Sequence, residues 1–227
     1  MTPSFSIPAL RTIALFGATG KTGRHMLAQA LAAGHTVRAL ARRPEALAEA
    51  ADADAAAAAR LTVIAGDVLD ADAVRETVRG ADVVVSVFGQ VKGSPPTVQT
   101  DGTQNIVDAM AEQGIRRIIS LSGGGLAAEQ HDRPKTPDKI IKWLLQRIAP
   151  QVLADAEGHL LVLRASGLDF TVVRGPRLTD APATGSYRVG WVGVNASTQI
   201  ARADLAMFIL TQLDDRQFIG ELPFASR

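Results

Sequence analysis

The sequence predicts an α/β fold: a doubly wound parallel sheet with helices on both faces. Strand-like and helix-like segments alternate five times between Thr12 and Leu121, and this alternation is typical of a parallel sheet with crossover helices. The segment Asp82 to Phe88, DVVVSVF, is continuously apolar, as expected of a strand that is buried on both faces. A glycine-rich turn, GATGKTG, joins the first strand to the first helix.

The individual elements follow from apolar periodicity and from the residues that interrupt it. Gly34 and Gly80 end two helical segments and Pro150 separates two others, because glycine and proline break helices. The predicted strands are TIALF from Thr12, His35 to Leu40, Leu61 to Ala65, Asp82 to Phe88, Ile115 to Leu121, Asp169 to Arg174 and a short one within Tyr187 to Val194. The predicted helices are Lys21 to Ala33, Asp70 to Arg79, Thr97 to Gln113, Asp138 to Ile148, Gln151 to Ala165 and Arg202 to Leu213. The alanine-rich segment Glu45 to Arg60 suits either a helix or a surface connection, and Gly175 to Gly185 is expected to be a loop.

Length and composition narrow the class of protein. A chain of 227 residues with 47% hydrophobic residues is expected to form one domain, residues 1–227, with a small C-terminal substrate-binding elaboration. The net charge of +1 argues against a nucleic-acid partner. No cysteine is present and the four histidines have no metal-ligand spacing, so no metal site is expected.

No apolar run reaches the length that spans a membrane, and the first residues lack the pattern of a signal peptide. A cytoplasmic protein without a membrane partner is therefore expected. No exposed apolar stripe stands out from the core periodicity, which leaves the oligomeric state open.

The glycine turn predicts a Rossmann-like phosphate site. Gly17 allows the chain to turn off the strand, Gly20 allows a phosphate to approach the backbone, and Gly23 allows helix and strand to pack closely. The N–H groups of the first helical turn then face an anion. A P-loop is excluded, because Leu15 stands where that motif needs its first glycine.

The ends of the next strands predict the adenosine contacts. Arg42 and Arg43 follow the second strand and suit a ribose 2′-phosphate, so NADPH is predicted over NADH. Surface positions for both arginines are the alternative interpretation. Asp67 and Val68 are predicted to flank the adenine, although Asp67 equally suits an ordinary turn. The backbone of Phe88, Gly89 and Gln90 is predicted to lie beside the cofactor, whereas Lys92 is expected to be solvated.

Several motifs together resemble one family. They are GATGKTG, ARRP, GDV, DVVVSVFG, ISLSG, SGLDFTVVRGPRLTD and IARADLA, and they extend from about Arg11 to Phe218. In these segments the chain resembles the NAD(P)H-binding atypical short-chain dehydrogenase/reductases, of the biliverdin-IXβ reductase/flavin reductase type and its NmrA-like relatives. The resemblance implies a bound NADPH and hydride transfer to a flavin, a tetrapyrrole or a similar flat acceptor.

The resemblance also implies roles for individual residues. By position, the phosphate loop comprises Gly17, Thr19, Gly20, Lys21 and Thr22, with Arg42 at the 2′-phosphate and Asp67 and Val68 at the adenine. Ser122 takes the place of a family Ser or Thr, and Pro176, Arg177 and Leu178 match the segment that lines the nicotinamide and substrate pocket. Ser122 and Arg177 are the candidate catalytic residues. Ser122 equally suits a hydroxyl bonded to its own backbone, and Arg177 suits a surface position nearly as well.

One departure from the wider family bears on chemistry. Alcohol-oxidising members use a Tyr-x-x-x-Lys pair, but the sole tyrosine is Tyr187 and position 191 is Trp191. Two hypotheses remain: an NADPH-dependent reductase of a flavin-like or quinone-like acceptor, and an NmrA-like redox sensor without turnover. The segment Gly123 to Pro150 is expected to shape the acceptor pocket. Trp143 lies within this segment and is expected to be a packing residue; the alternative is that its ring covers a flat ligand. Asp180 is expected to be a turn residue.

Overall fold

The computed structural model describes residues 9–48 and 55–227. The strands, in chain order, are β1 Thr12–Phe16, β2 Thr36–Ala41, β3 Leu61–Ala65, β4 Val83–Ser86, β5 Arg117–Gly123, β6 Asp169–Gly175, β7 Arg177–Thr179, β8 Arg188–Gly190, β9 Gln199–Ala201 and β10 Phe224–Ser226. The helices are α1 Lys21–Ala32, α2 Ala55–Ala58, α3 Ala71–Val78, α4 Val98–Gln113, α5 Thr136–Ile148, α6 Pro150–Ala165 and α7 Arg202–Thr211. A 3-10 turn occupies Pro44–Leu47.

The main sheet has the strand order β3-β2-β1-β4-β5-β6-β10-β8. Its strands run parallel except β8, which is antiparallel to β10. The order reverses between β1 and β4, and in such sheets ligands bind at the carboxyl ends of the strands beside that reversal. β7 and β9 form a separate two-stranded parallel sheet.

The core lies on both faces of the sheet, as the apolar strands require. Ile13 and Leu15 of β1 pack with α1 and α7 on one face. Ala14 and Phe16 pack with α3, α4 and α6 on the other. Because successive strand residues point to opposite faces, a strand that is apolar at every position is covered on both sides. The predicted doubly wound architecture is confirmed.

The region after β6 differs from the prediction. The expected loop from Gly175 to Gly185 contains β7, and β9 and β10 were not predicted at all. Each of these strands has only three residues, which is too short to show a periodicity of its own. The segment predicted as helix or connection, Glu45 to Arg60, holds the 3-10 turn and α2, and residues 49–54 lie outside the described residues.

The exposure of helix α5 also differs from the prediction. It has no buried residue, and its large apolar side chains are exposed. An exposed apolar stripe is therefore present, although none was expected. Helical periodicity shows that a helix has an apolar face, but it does not show whether another element covers that face. Among the described residues, no helix has both the length and the apolar character needed to cross a bilayer.

Candidate functional site

The turn between β1 and α1 leaves a helix start open to an anion. Gly17 has φ +89°, and a Cβ atom there would lie 2.7 Å from the backbone N of Phe88, so only glycine fits. The N–H of Gly20 donates to the carbonyl of Gly17 at 3.0 Å. Helix α1 has neither a side-chain cap nor an acidic residue in its first turn. Its free N–H groups and the helix dipole therefore favour a bound anion such as a phosphate.

Gly23 has the packing role that its spacing predicts. A Cβ atom at Gly23 would lie 2.0 Å from the carbonyl oxygen of Gly17, so any side chain would push α1 away from the turn. Gly23 lines neither of the two cavities described below. Gly23 therefore acts on the site by keeping the start of α1 close to the turn. Direct contact between Gly23 and a cofactor stays a prediction.

A pocket of about 250 Å³ opens beside the ends of β1, β2 and β3. It brings together most of the residues predicted to contact the phosphates and adenosine. These are Gly17, Thr19, Gly20, Arg42, Asp67, Val68, Phe88, Gly89 and Gln90. Because these residues come from four separate stretches of sequence, the fold assembles a pocket that each motif shows only in part.

Arg42 and Asp67 face each other at this pocket. The Nε of Arg42 lies 3.8 Å from Oδ2 of Asp67, and the Arg42 side chain is 67% exposed. Oδ1 of Asp67 accepts the Leu69 N–H at 2.9 Å, so the carboxylate is held by its own turn, as one of the two interpretations expected. The guanidinium is thus available to an incoming anion. Arg43 is exposed and, like Lys92, lines neither cavity, and its contact with the 2′-phosphate stays a prediction.

A second, larger cavity of about 1100 Å³ adjoins the first. The two share the walls formed by Gly20, Phe88, Gly89 and Gln90. A Cβ atom at Gly89 would have no atom within 4 Å, so the missing side chain leaves the junction open. One extended ligand can therefore pass from Arg42, across the start of α1, into the larger cavity.

Ser122 places a buried hydroxyl at the wall of the larger cavity. It lies near the end of β5, it is buried, and it lines the cavity wall. Among the described residues its Oγ has no hydrogen-bond partner, so in this structure the hydroxyl is not bonded to its own backbone. An unsatisfied buried hydroxyl is costly, and such a group at a cavity wall is suited to bond a ligand.

The mouth of the larger cavity carries a group of charged side chains. Nζ of Lys21 lies 2.7 Å from Oδ2 of Asp180, and Arg202 pairs with the other oxygen of that carboxylate. The side-chain hydrogen bond from Lys21 is the main cause that keeps the pKa of Asp180 below its ordinary value. Arg177 is exposed, lines the cavity and donates to Oε1 of Gln199 at 2.6 Å. Asp180 is therefore an ion-pair partner rather than a simple turn residue.

The remaining cofactor residues from the prediction also reach this cavity. Thr22 is buried and lines it beside Lys21. Pro176 and Leu178, on either side of Arg177, line it as well. Trp143 does not line it, so in this structure that ring does not cover a ligand.

A buried ion pair fixes the loop that closes the cavity. Arg174 is fully buried, and its guanidinium donates to both oxygens of Asp132 at 2.8 and 2.9 Å. Burial would raise the pKa of Asp132, but hydrogen bonds from Arg174 and from the backbone outweigh it and hold that pKa below its ordinary value. Arg174 also donates to the carbonyls of Leu126 and Leu222. The segment between β5 and α5 is thereby attached to β6.

A second buried carboxylate, Asp155 of α6, supports the wall that the two cavities share. It accepts the N–H groups of Gln99 and Thr100 at 2.9 and 2.8 Å, and so caps the start of α4. It also accepts the side-chain amide of Gln90 at 3.0 Å. Sequence reasoning missed both Asp155 and the Asp132–Arg174 pair. The only signal was a charged residue within an apolar stretch, such as Arg174 in TVVRG.

The arrangement is suited to holding a dinucleotide and a flat apolar ligand, and it is unsuited to alcohol oxidation by a tyrosine. Tyr187 lines neither cavity, and its ring packs on Phe208 with centroids 5.7 Å apart. Burial raises its pKa, so a reactive phenolate is disfavoured. The Trp191 ring stacks on the His131 ring with centroids 4.1 Å apart, so Trp191 is a packing residue.

Comparison with known proteins identifies the family. The profile of the NAD(P)H-binding family matches residues 17–216. This range includes the glycine turn and six of the eight strands of the main sheet. The chain belongs to the NAD(P)H-binding family. The resemblance to atypical, NmrA-like short-chain dehydrogenase/reductases is thereby confirmed, and the family is one of NAD(P)H-dependent, reductase-like proteins.

Two curated relatives illustrate the range of this family. The chain is 40% identical over 113 residues to an uncharacterized protein of Mycobacterium tuberculosis (strain ATCC 25618 / H37Rv), a match that covers 49% of this chain and 12% of that protein. The chain thus matches only about an eighth of the length of that larger protein. It is 28% identical to the reductase pytE of Aspergillus terreus, over 89% of this chain and 91% of that protein.

Solved structures show the same fold. A short-chain dehydrogenase/reductase from Veillonella parvula DSM 2008, in complex with NADP, has a TM-score of 0.75 and 21% identity, covering 96% of this chain and 95% of that chain. ChuY, an anaerobillin reductase from Escherichia coli O157:H7, has a TM-score of 0.73 and 21% identity, covering 95% and 96%. At this identity the likeness establishes the Rossmann-like architecture of the chain.

Proposed function

We propose that this chain is an NADPH-dependent reductase that passes a hydride to a flat conjugated acceptor of the flavin, tetrapyrrole or quinone class. The observation that carries the proposal is the continuous path from the Arg42 pocket to the larger cavity, through the uncapped start of α1. A dinucleotide has this order of parts: an adenosine, a pyrophosphate and a nicotinamide.

The choice of NADPH rests on Arg42. Its guanidinium stands at the adenosine pocket with most of its surface exposed, and arginine suits a phosphate through paired N–H donors. The NADP found in the Veillonella parvula structure supports the same choice. Asp67 on the opposite side weakens the local positive potential, so the preference for NADPH depends on Arg42 remaining charged and free.

The choice of acceptor rests on the larger cavity. Its volume of about 1100 Å³ exceeds what a nicotinamide ring needs, and its walls include apolar residues such as Leu126, Leu153 and Phe224. Bound NADPH would supply the hydride, and solvent the proton. The chain's own residues would exclude water and orient the two rings, with Ser122 Oγ as a hydrogen-bond donor to one of them. ChuY, which shares the fold, is an anaerobillin reductase, and this supports a small-molecule acceptor.

A turnover assay tests the proposal. Purified protein is mixed with NADPH and then with FMN, a water-soluble quinone or a linear tetrapyrrole, and absorbance is followed at the reduced-nicotinamide band. Oxidation that depends on both protein and acceptor is expected. Tight NADPH binding without oxidation by any of the three acceptor classes would favour the alternative, a non-catalytic NmrA-like redox sensor.

A further inference from the structure

The outward side of α5 is an apolar surface that no described residue covers. Ile140, Trp143, Leu144 and Ile148 are 58%, 55%, 47% and 72% exposed, and we call these four residues the outer α5 face. They recur at helical spacing, so they form one continuous patch. Large apolar patches on a protein surface mark contact sites for partners or membranes.

Positive charge is concentrated around the same helix. Residues 133–148 contain five basic residues and one acidic residue, a net charge of +4, whereas the whole chain carries +1. The rest of the chain therefore carries −3. Within the described ranges, Lys135, Lys139, Lys142 and Arg147 take part in no ion pair, and their charges are free to meet an outside anion.

The charge argues against a second copy of this chain as the cover. A two-fold contact would bring the same surface of both copies together, and would therefore place +4 against +4. Like charges at an interface oppose association. An occupant that combines an apolar layer with negative charge fits both properties of the helix.

We propose that α5 docks this protein on an anionic lipid bilayer, with the outer α5 face at the headgroup–acyl boundary and the basic side chains among the headgroups. An interfacial helix of this kind has an apolar face with Trp or Leu and a polar face with Lys or Arg. Trp143 suits the boundary because its ring is apolar and its N–H is polar. Arg147 lies over the Trp143 ring at 5.0 Å, where its long side chain extends from the apolar face toward the headgroups.

The docking face continues into the larger cavity. Ile141, Lys142 and Leu145 of the same helix line that cavity, so only one helix separates its interior from the proposed bilayer. The proposal goes beyond the reductase function and does not depend on it, because binding to vesicles is measured without cofactor or acceptor. The sequence predicted no membrane partner, but that prediction considered only segments long enough to span a membrane. The docking proposal therefore departs from it.

Vesicle co-sedimentation with the full chain tests the docking. Vesicles of phosphatidylcholine alone are compared with vesicles that contain phosphatidylglycerol as well, at low and at high salt. We expect binding to the anionic vesicles to be at least tenfold stronger, and to weaken with salt because the charges are screened. Arg147→Gln should lower the affinity about fivefold, the effect of one basic residue near such a surface.

Matched variants separate the outer α5 face from apolar exposure in general. Trp143→Ser and Ile148→Ser should each lower binding about tenfold. Leu161→Ser removes a leucine that is 65% exposed on α6 and should leave binding unchanged. Lys92→Gln removes a basic residue outside α5 and should also leave binding unchanged, as the control for Arg147→Gln. No binding to anionic vesicles at low salt would overturn the proposal. So would a dimer in light scattering that Trp143→Ser dissociates, because the occupant would then be a second copy.

Discussion

Two serines of β5 differ in the hydrogen bonding of their hydroxyl groups. Ser122 Oγ has no hydrogen-bond partner in the part of the chain that the structure describes, whereas Ser120 Oγ lies 3.0 Å from Nε2 of buried His159. We expect Ser122→Ala to leave the free energy of unfolding nearly unchanged and to lower turnover about tenfold, because only a contact to ligand is lost. Ser120→Ala should lower the free energy of unfolding by about 1–3 kcal/mol, since it leaves a buried partner unsatisfied.

Urea unfolding and steady-state kinetics on both variants check this contrast. If Ser122→Ala were destabilised as much as Ser120→Ala, Ser122 would have a structural partner. If its turnover were unchanged, the hydroxyl would not contact the reacting molecules.

Arg42 and Arg43 provide a second contrast between neighbouring residues. Arg42 lines the pocket of about 250 Å³ that we propose holds the adenosine, and Arg43 does not. Arg42→Ala should weaken NADPH binding by about tenfold to a hundredfold, the equivalent of one charged hydrogen-bond contact, and should leave NADH binding almost unchanged. Arg43→Ala should have a much smaller effect on either cofactor. Separate titrations of NADPH and NADH with each variant measure the preference. Equal losses for the two cofactors would contradict the assignment of Arg42 to the 2′-phosphate.

Local motifs revealed the residues whose roles depend on near neighbours. The glycine turn is such a case, because Gly17, Gly20 and Gly23 act on one another within seven residues. The buried charges could not be found in this way. Asp132 meets Arg174 from 42 residues away, and Asp155 meets Gln99 from 56 residues away, so the partner of each becomes apparent only once the sheet is assembled.

At the scale of elements, α6 and α4 are joined by Asp155. Its carboxylate satisfies two free N–H groups at the start of α4 and also holds Gln90 at the cavity wall. Asp155→Ala should lower the free energy of unfolding by about 2–4 kcal/mol, because a cap and a buried charged hydrogen bond are both lost. It should also weaken NADPH binding, since Gln90 loses its anchor.

Asp101, on α4 itself, offers a control for Asp155. It accepts only an exposed hydrogen bond from Thr97 Oγ1, so Asp101→Ala should change the free energy of unfolding by less than about 0.5 kcal/mol. Chemical unfolding and NADPH titration on both variants check the prediction. A similar small effect for Asp155→Ala would show that the start of α4 is satisfied by other groups.

Elements with strong periodicity were predictable, and those defined by their partners were not. β1 and α1 were recognised from apolar pattern and a glycine turn. β7, β9 and β10 have three residues each, and they exist because a neighbouring strand supplies their hydrogen bonds. In the same way, the amphipathic pattern of α5 correctly predicted a helix. Whether the apolar face of that helix is covered depends on which other elements pack against it, and the pattern does not show this.

At the scale of the whole molecule, one group of buried polar side chains forms a connected network on one face of the sheet. Thr103, Ser120, Asp155 and His159 lie between β5, α4 and α6, next to the cavity wall. A neutral imidazole can satisfy both hydroxyls, since one ring nitrogen donates and the other accepts. Each ring nitrogen of the buried His159 thus has a hydroxyl partner, which ties β5, α4 and α6 together at the cavity wall.

This network makes the stability of the fold depend on pH. Burial lowers the pKa of His159 from 6.5 to about 4, and the charge of Asp155 only partly opposes that shift. Between pH 6.5 and pH 4 the unfolded chain binds a proton at this residue and the folded chain does not, so stability falls as the pH falls through that range. A shift of this size corresponds to a loss of about 3 kcal/mol.

Urea unfolding at several pH values, for the native chain and for His159→Gln, measures this contribution. Burial also lowers the pKa of His35, so His35 too makes the protein less stable as the pH falls. Because both chains contain His35, the contribution of His159 is read from the difference between their free energies of unfolding. We expect that difference to change by about 3 kcal/mol between pH 7 and pH 4, because glutamine cannot take up the proton. Parallel pH profiles for the two chains would mean that the folded protein accepts a proton on His159, and that the polar network can rearrange around an imidazolium.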